Sequence, residues 1–312
     1  MLCQSILDAI GNTPLVQLRR MSPDGVRIYA KLEGENPTGS LKDRIALYMI
    51  EAAEKSGELT AAKTILEPTS GNTGISLAMV ARVMGYRLLC VLPDNVTAER
   101  EQMLRAFGAE VLYAKGARST NDAIYKAQQM LAEEPDRYYM PYQYGNEHNP
   151  RAHYETTGQE ILRDLPEVDV FVAGLGTGGT LTGVGRYLKE QRPGVKVVAA
   201  VPHPGDLVQG LRALEEGFIP PVLDESVLDG RIVVDSRTSF ATVKELMEKE
   251  AIFAGISSGA VLRVAQRVAS RMVDGNVVAL LADGGWKYLS TELWTRDWGA
   301  TAAEEVEGTI WW

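Results

Sequence analysis

Lys42 stands at the end of the stretch NPTGSLKDR (36–44) and opens an apolar, helix-like run, IALYMIEAAEK. A cation in the first turn of a helix meets the positive end of the dipole, at a cost of a few tenths of a kcal/mol up to about 1 kcal/mol. Such a lysine is either a solvated surface residue or an amine whose pKa is pulled down so that it can attack a carbonyl. Three glycine-rich turns bear on that choice. EPTSGNTGIS (67–76) joins a strand-like run to a helical one. Ser70, Gly71, Asn72 and Thr73 there would present amides and hydroxyls to an anion such as a carboxylate, or simply cap the helix. AGLGTGGTLTG (173–183) carries the spacing G-x-G-x-x-G at Gly174, Gly176 and Gly179. A dinucleotide site would need an acidic residue at the end of the next strand, about 20 residues on. That strand ends VVAAVPHP, with no acid before Asp206. What remains is a nest of amides with the Thr177 and Thr180 hydroxyls, a cup for one phosphate group. AGISSGAVL (254–262) puts Ser257 and Ser258 at a third strand-to-helix turn, where capping alone would account for them.

Other chemistries drop out. Lys42 lies three residues beyond Gly39, so the P-loop spacing is absent. His148 and His153 sit five apart without a cysteine cluster, so no metal site is expected. A helix-start lysine, a one-phosphate cup and a carboxylate nest together suggest pyridoxal phosphate. Its aldehyde takes a lysine, its phosphate takes a glycine loop, and its substrates carry carboxylates.

The elements that must position these residues alternate along the chain. Short apolar runs at 64–69, 87–93, 109–114, 169–174, 196–202 and 276–282 suit strands buried on both faces of a parallel sheet. Helical patterns lie between them at Thr73–Met84, Ala98–Phe107, Asn121–Ala132, Thr180–Glu190, Ser239–Lys249 and Ser258–Val273. This alternation predicts an α/β fold with parallel sheets, plus an antiparallel pair from PLVQL and RIYAKLE near the start. The stretch 133–150, rich in Pro, Gly, Asn and Tyr, is the candidate crossing between two domains. The first would span 1–145, carrying Lys42 and the Thr69–Thr73 loop, with 13–34 packing on the second. The second would span 146–312, with the phosphate loop and Ser257.

With 312 residues, 45% hydrophobic and 23% charged, the chain has the composition of a globular protein of one large or two medium domains. Its 32 basic and 41 acidic residues give a net charge of -9, which disfavours nucleic acid and anionic membranes as partners. No run of about 18 apolar residues offers a membrane span. MLCQSILDAIGNTP lacks a signal-peptide pattern, and Cys3 and Cys90 make no disulfide framework, so the cytoplasm is expected.

IGNTPLV, NPTGSLKDR, EPTSGNTGISLA, QYGN, GLGTGGTLTGVGR, GISSGA and WKYLST, in this order, resemble the pyridoxal-phosphate-dependent cysteine synthases over essentially the whole chain. The resemblance implies two parallel-sheet α/β domains of the fold-type-II architecture, like the tryptophan synthase β chain. It implies that Lys42 holds the cofactor as an internal aldimine and later moves the substrate α-proton. Asn72 would hydrogen-bond the ring oxygen, Gly176, Thr177, Gly178, Gly179 and Thr180 the phosphate, and Ser257 would face the pyridine nitrogen. Thr69, Ser70, Thr73 and Gln143 would bind the substrate carboxylate. A serine at the ring nitrogen implies a weaker electron sink, and hence β-replacement through α-aminoacrylate. GLRALEEGFIP (210–220) and the aromatic C-terminus are similar to the branch that uses O-phosphoserine and a thiocarboxylated sulfur-carrier protein. The family usually has Glu-Pro where this chain has Val201-Pro202, which leaves O-acetylserine as the next candidate. A homodimer is implied by the family alone. Serine or threonine dehydratase and cystathionine β-synthase share the fold and stay open, although QYGN and WKYLST weigh against them. A non-catalytic protein that binds a partner is the reading from another class.

Two further expectations concern single segments. Arg212, in a glycine-bounded and helical-looking stretch, either pairs locally with Glu215 or Glu216 or grips a substrate phosphate. Ile310, Trp311 and Trp312 would fold over the mouth of the site, since each terminal aromatic could bury on the order of 150–250 Å².

Overall fold

The structure is a computed structural model that describes residues 2–69, 71–92, 98–114, 120–206, 208–214 and 217–295. Strands β1 (Leu15–Gln17) and β2 (Val26–Leu32) form the antiparallel pair expected near the start. Helix α1 (Lys42–Ser56) follows, then β3 (Thr64–Pro68), α2 (Asn72–Met84), β4 (Arg87–Leu92), α3 (Ala98–Ala106), β5 (Glu110–Tyr113), α4 (Thr120–Glu133) and β6 (Tyr138–Tyr139). Helix α5 (His148–Ala152) runs through a π-helical turn, His153–Thr157, into α6 (Gly158–Asp164). Beyond it come β7 (Val170–Gly174), α7 (Gly179–Gln191), β8 (Lys196–Pro202), β9 (Gly230–Val234), α8 (Ser236–Glu250), α9 (Ile256–Ala269) and β10 (Gly275–Leu281).

Two sheets result. One has the order β1-β2-β10-β7-β8-β9, the other β5-β4-β3-β6, and every pairing except β1 with β2 is parallel. Why the central strands read as unbroken apolar runs is visible in β10. Val277, Ala279 and Leu281 enter the core beneath α8 and α9, while Val278 and Leu280 enter the core on the opposite face with α6 and α7. β7 and β8 alternate in the same way. A strand buried on both faces has no polar side to show.

Several expectations shift. The apolar pattern at 258–273 overran its helix, since α9 ends at Ala269. The turn before α9 is not preceded by a strand: Ala254 makes only an isolated bridge to Gly284. Strand β9 and the helices between 148 and 164 were missed. The stretch around Arg212 is not helical over residues 208–213. Gly205, Gly210 and Gly217 all sit at positive φ, which breaks the chain into turns there.

Candidate active site

A buried ion cluster sets the stage. Arg44, on α1, gives Nε to Glu33 Oε2 at 2.7 Å and Nη1 to Glu160 Oε1 at 2.7 Å, while Lys31 Nζ donates to Glu160 Oε2 at 2.7 Å. These charges hold Glu160 down to about 2, with Arg44 the main counterion outweighing a burial that pushes the other way. The cluster also ties down the neighbouring turns. Gly11 N donates to Asn36 Oδ1 at 2.8 Å, Asn12 N to Glu160 Oε1 at 2.9 Å, and Lys31 Nζ to Thr13 O at 2.6 Å. Asp43 accepts from Thr38 N at 2.7 Å and from Ser76 Oγ on α2 at 2.5 Å. Leu41 N donates to Ala282 O at 3.0 Å, and Ser40 bridges Asp283 just past β10. The residues around Lys42 are thus fixed from α2 on one side and from the segment just past β10 on the other.

Lys42 is the first residue of α1, as its sequence position suggested. Burial pushes its amine down to about 8, and the Asp283 carboxylate acts against that shift. The perturbation expected of the helix dipole therefore comes mainly from desolvation.

One cleft gathers Lys42, Asn72, Gly176, Thr177, Gly178, Thr180 and Ser257 beyond the carboxyl ends of β3, β7 and β10. The turn Leu175–Gly178 runs into the N-terminus of α7, with Gly178 at φ 84°. A Cβ on Gly176 would stand 2.7 Å from Gly210 O, so the two backbones need glycine to meet there. Thr177 Oγ1 accepts from Asn149 Nδ2 at 3.1 Å, and Thr180 Oγ1 lies 3.2 Å from the buried His153 Nε2. His153 Nδ1 in turn meets Thr157 Oγ1 at 2.9 Å. Burial holds that imidazole down to about 3, so it stays neutral.

Gly179 does not line the cleft. It starts α7, and a Cβ there would stand 2.0 Å from Asn149 Oδ1. Thr69, Thr73 and Gln143 are not among the cleft's lining residues: Thr73 Oγ1 donates to Gln143 Oε1 at 2.8 Å, and Gly71 N donates to Thr69 Oγ1 at 3.3 Å. Tyr142, before Gln143, takes φ 51° and donates its N–H to the buried Glu67 carboxyl at 3.2 Å. Burial pushes Glu67 up to about 8. Arg212 is not a lining residue either. Its guanidinium carbon lies 4.8 Å from the Phe218 ring centroid and 5.4 Å from that of Tyr144. Ser70, Glu215, Glu216 and the tail residues Ile310, Trp311 and Trp312 fall outside the described residues.

Sequence reasoning missed Asp283, Tyr288, Gln209 and Gly210, all of which line the cleft. Asp283 follows β10, so the rule that ligands bind beyond strand carboxyl ends could have found it. Gln209 sits in an irregular segment and had no signal. Among the described residues no group of His, Cys, Asp and Glu could hold a metal, and no helix is long and apolar enough to cross a membrane.

The cleft holds about 600 Å³ of space between its atoms, its open mouth included. A helix N-terminus with two threonine hydroxyls, a partly desolvated amine and an amide donor are the donor set that a phosphorylated aldehyde requires. The residues present fit pyridoxal phosphate.

The comparisons with known proteins agree. Residues 6–283 match the family model described as "Pyridoxal-phosphate dependent enzyme". A cysteine synthase of Staphylococcus aureus is 41% identical over 304 residues, covering 94% of this chain and 97% of its own. The crystal structure of an O-ureido-L-serine synthase aligns with TM-score 0.90 at 40% identity over 98% of this chain and 99% of its own. That of a cysteine synthase from Entamoeba histolytica aligns with TM-score 0.90 at 32% identity over 99% and 96%. With a lysine, an amide donor and a phosphate cup in one cleft, and relatives of this kind along nearly its full length, the chain belongs to the pyridoxal-phosphate-dependent enzyme family and is an enzyme of that cofactor.

Proposed function

We propose that the protein is a cysteine synthase, which replaces the β-substituent of an O-activated serine with sulfur to give L-cysteine. The observation that carries this reading is the single cleft lined by Lys42, Asn72, Thr177, Thr180 and Ser257. When bound, pyridoxal phosphate supplies an aldehyde for amines and an electron sink for loss of a β-leaving group. The chain's own residues do the rest. Lys42 Nζ is the amine that anchors the cofactor and then moves the proton at the substrate α-carbon. Asn72 donates to the ring oxygen. Amides and hydroxyls from Gly176, Thr177, Gly178 and Thr180 hold the phosphate at the start of α7, and Gly179, whose N–H donates to Thr177 Oγ1 at 3.3 Å, supports them from the first turn. Ser257 faces the pyridine nitrogen with a neutral hydroxyl, which cannot keep that nitrogen protonated as a carboxylate would. The sink is thereby weaker, which favours elimination and replacement over a long-lived carbanion. Thr69, Ser70, Thr73 and Gln143 take the substrate carboxylate.

O-Phosphoserine is the favoured substrate, with Arg212 as its phosphate ligand: it does not line the cleft itself but directly follows the lining residues Gln209, Gly210 and Leu211. O-Acetylserine is next. A thiocarboxylated carrier protein as sulfur donor, a homodimer and the cytoplasm belong to the same reading. We divide the chain into two domains, 1–145 and 146–312, with 13–34 counted with the second. The test is a product assay: the cofactor-loaded protein should convert both activated serines and sulfide to L-cysteine, O-phosphoserine with the higher kcat/KM. Pyruvate and ammonia as main products with sulfide present would instead make it a dehydratase.

A further inference from the structure

The stretch WKYLST contributes a second buried lysine to the site, and nothing in the reading above uses it. Lys287 lies in the helical turn Gly285–Thr291 just past β10 and is 1% exposed. Its Nζ donates to Asn72 Oδ1 at 2.7 Å. The other end of the same amide, Asn72 Nδ2, donates to Asp283 Oδ2 at 2.8 Å. That carboxylate oxygen also accepts from Tyr288 O–H at 2.6 Å, and the Arg100 guanidinium lies 5.3 Å from the Tyr288 ring centroid. Asn72 is therefore gripped between a cation and an anion that come from one short segment.

The chemistry of that grip is one-directional. An ammonium has donors only and a carboxylate acceptors only, so the amide cannot turn over without losing both partners. Its oxygen is consumed by Lys287. Its nitrogen keeps one further hydrogen, and Asn72 lines the cleft that Lys42 enters. An ammonium on the oxygen also draws electrons through the amide and strengthens the remaining N–H as a donor.

We infer that Lys287 is a positioning residue that locks the Asn72 amide with its N–H, not its carbonyl, facing the cofactor ring oxygen. The inference rests on the proposed cofactor site and adds to it the element that fixes the sign of its ring-side hydrogen bond. Without Lys287, Asn72 could rotate and offer its carbonyl to an oxygen, which is repulsive. The ring oxygen would then hold its own proton more often. An aromatic imine with a protonated ring oxygen absorbs at shorter wavelength than one whose ring oxygen is anionic.

The experiment titrates the apoprotein with pyridoxal phosphate and records the spectrum and the dissociation constant, in wild type, Lys287→Met, Lys287→Gln, Asn72→Ala and the Lys287→Met/Asn72→Ala double variant. Lys287→Met should weaken cofactor binding about 10-fold, the loss of one charge-assisted hydrogen bond. Its visible band should fall in favour of a near-ultraviolet one. Lys287→Gln keeps a donor for Asn72 Oδ1 and should retain most of the visible band, and it carries the test if Lys287→Met does not fold. In the Asn72→Ala background, Lys287→Met should change the spectrum no further, because its effect passes through that amide. A wild-type spectrum in both Lys287 variants, or an equal added shift in the Asn72→Ala background, overturns the inference and leaves the cofactor site standing. A wild type that takes up no cofactor sinks the site and this inference together.

Discussion

Arg212→Ala separates the two activated serines. The guanidinium is half-buried, stacked near two aromatic rings, and its backbone N–H donates to Leu175 O at 2.7 Å, next to the phosphate cup. Stacking on Phe218 and Tyr144 pre-orders the fork, so a substrate phosphate would meet donors whose rotamer entropy is already spent. Removing the side chain has two effects. The first is structural: lost cation–π contact is worth about 0.5–2 kcal/mol, and Tyr144 next to Gln143 is left to relax. That loss falls on any substrate whose carboxylate Gln143 binds. The second is specific: one charge-assisted bond to phosphate is worth about 2–3 kcal/mol, or roughly 30- to 150-fold in rate, and an acetyl ester offers it no charge. The structural part cancels in the ratio of kcat/KM for O-phosphoserine over O-acetylserine. The assay is therefore paired steady-state kinetics on both substrates with sulfide held fixed. The ratio should fall by about 30- to 150-fold in Arg212→Ala. In Arg212→Lys, which keeps charge but loses the planar fork, it should fall by less. A ratio that changes by less than about threefold, below the cost of one charge-assisted bond, would make Arg212 a structural residue and return O-acetylserine to first place.

Lys42→Ala should abolish the covalent adduct, so that borohydride no longer fixes the cofactor to the chain; an adduct on the same segment in the variant would refute the assignment. Gly179→Ala sets a Cβ against Asn149 Oδ1, 2.0 Å away, so equilibrium dialysis should show cofactor affinity reduced by at least about 10-fold, since Asn149 must release Thr177. Glu160 has its folded pKa lowered to about 2 against 4.5 when free, so its stabilisation is complete above pH 4.5 and is lost as pH falls toward 2. The gap corresponds to about 3 kcal/mol. Acid-unfolding midpoints should show Glu160→Gln flattening that limb while lowering stability at neutral pH; an unchanged acid limb would count against the cluster. Glu67 behaves oppositely. Its folded pKa is raised to about 8, so the stability of its neutral form is lost as pH rises from 4.5 through 8, and Glu67→Gln should hold the melting temperature steadier over that range.

How much of this the sequence carried depends on the range of the interaction. The helix-start turns that carry Lys42, Thr177 and Ser257 were legible because the signal and the structure are local. Each is a run of glycine, serine, threonine or lysine at a helix start, and the helix start itself supplies the geometry. The strands were legible because β7, β8 and β10 are buried on both faces and left no polar residue to interrupt them. The segment around Arg212 was read as helical for a local reason too. Leu, Arg, Ala and Leu have good helix propensity, but Gly205, Gly210 and Gly217 at positive φ override it.

The hold of Asp283 and Lys287 on Asn72 was beyond reach for the opposite reason, although the place of Asp283 just past β10 was open to inference. They act on Asn72 across 211 and 215 residues of chain, and no window of periodicity spans that distance. The same holds for Glu160, 116 residues from Arg44 and 148 from Asn12. These long-range groups decide what the local ones can do. A first-turn lysine without the cleft around it would keep an ordinary amine pKa, since the shift to about 8 comes mainly from burial. An asparagine at the start of α2 would be an ordinary cap without the lysine and carboxylate that hold its amide from both ends. The residues that name the chemistry are thus local and readable. The groups that hold them from behind, Glu160 under the Lys42 helix and Lys287 on Asn72, are charges whose burial is tolerable only because the fold delivers their partners.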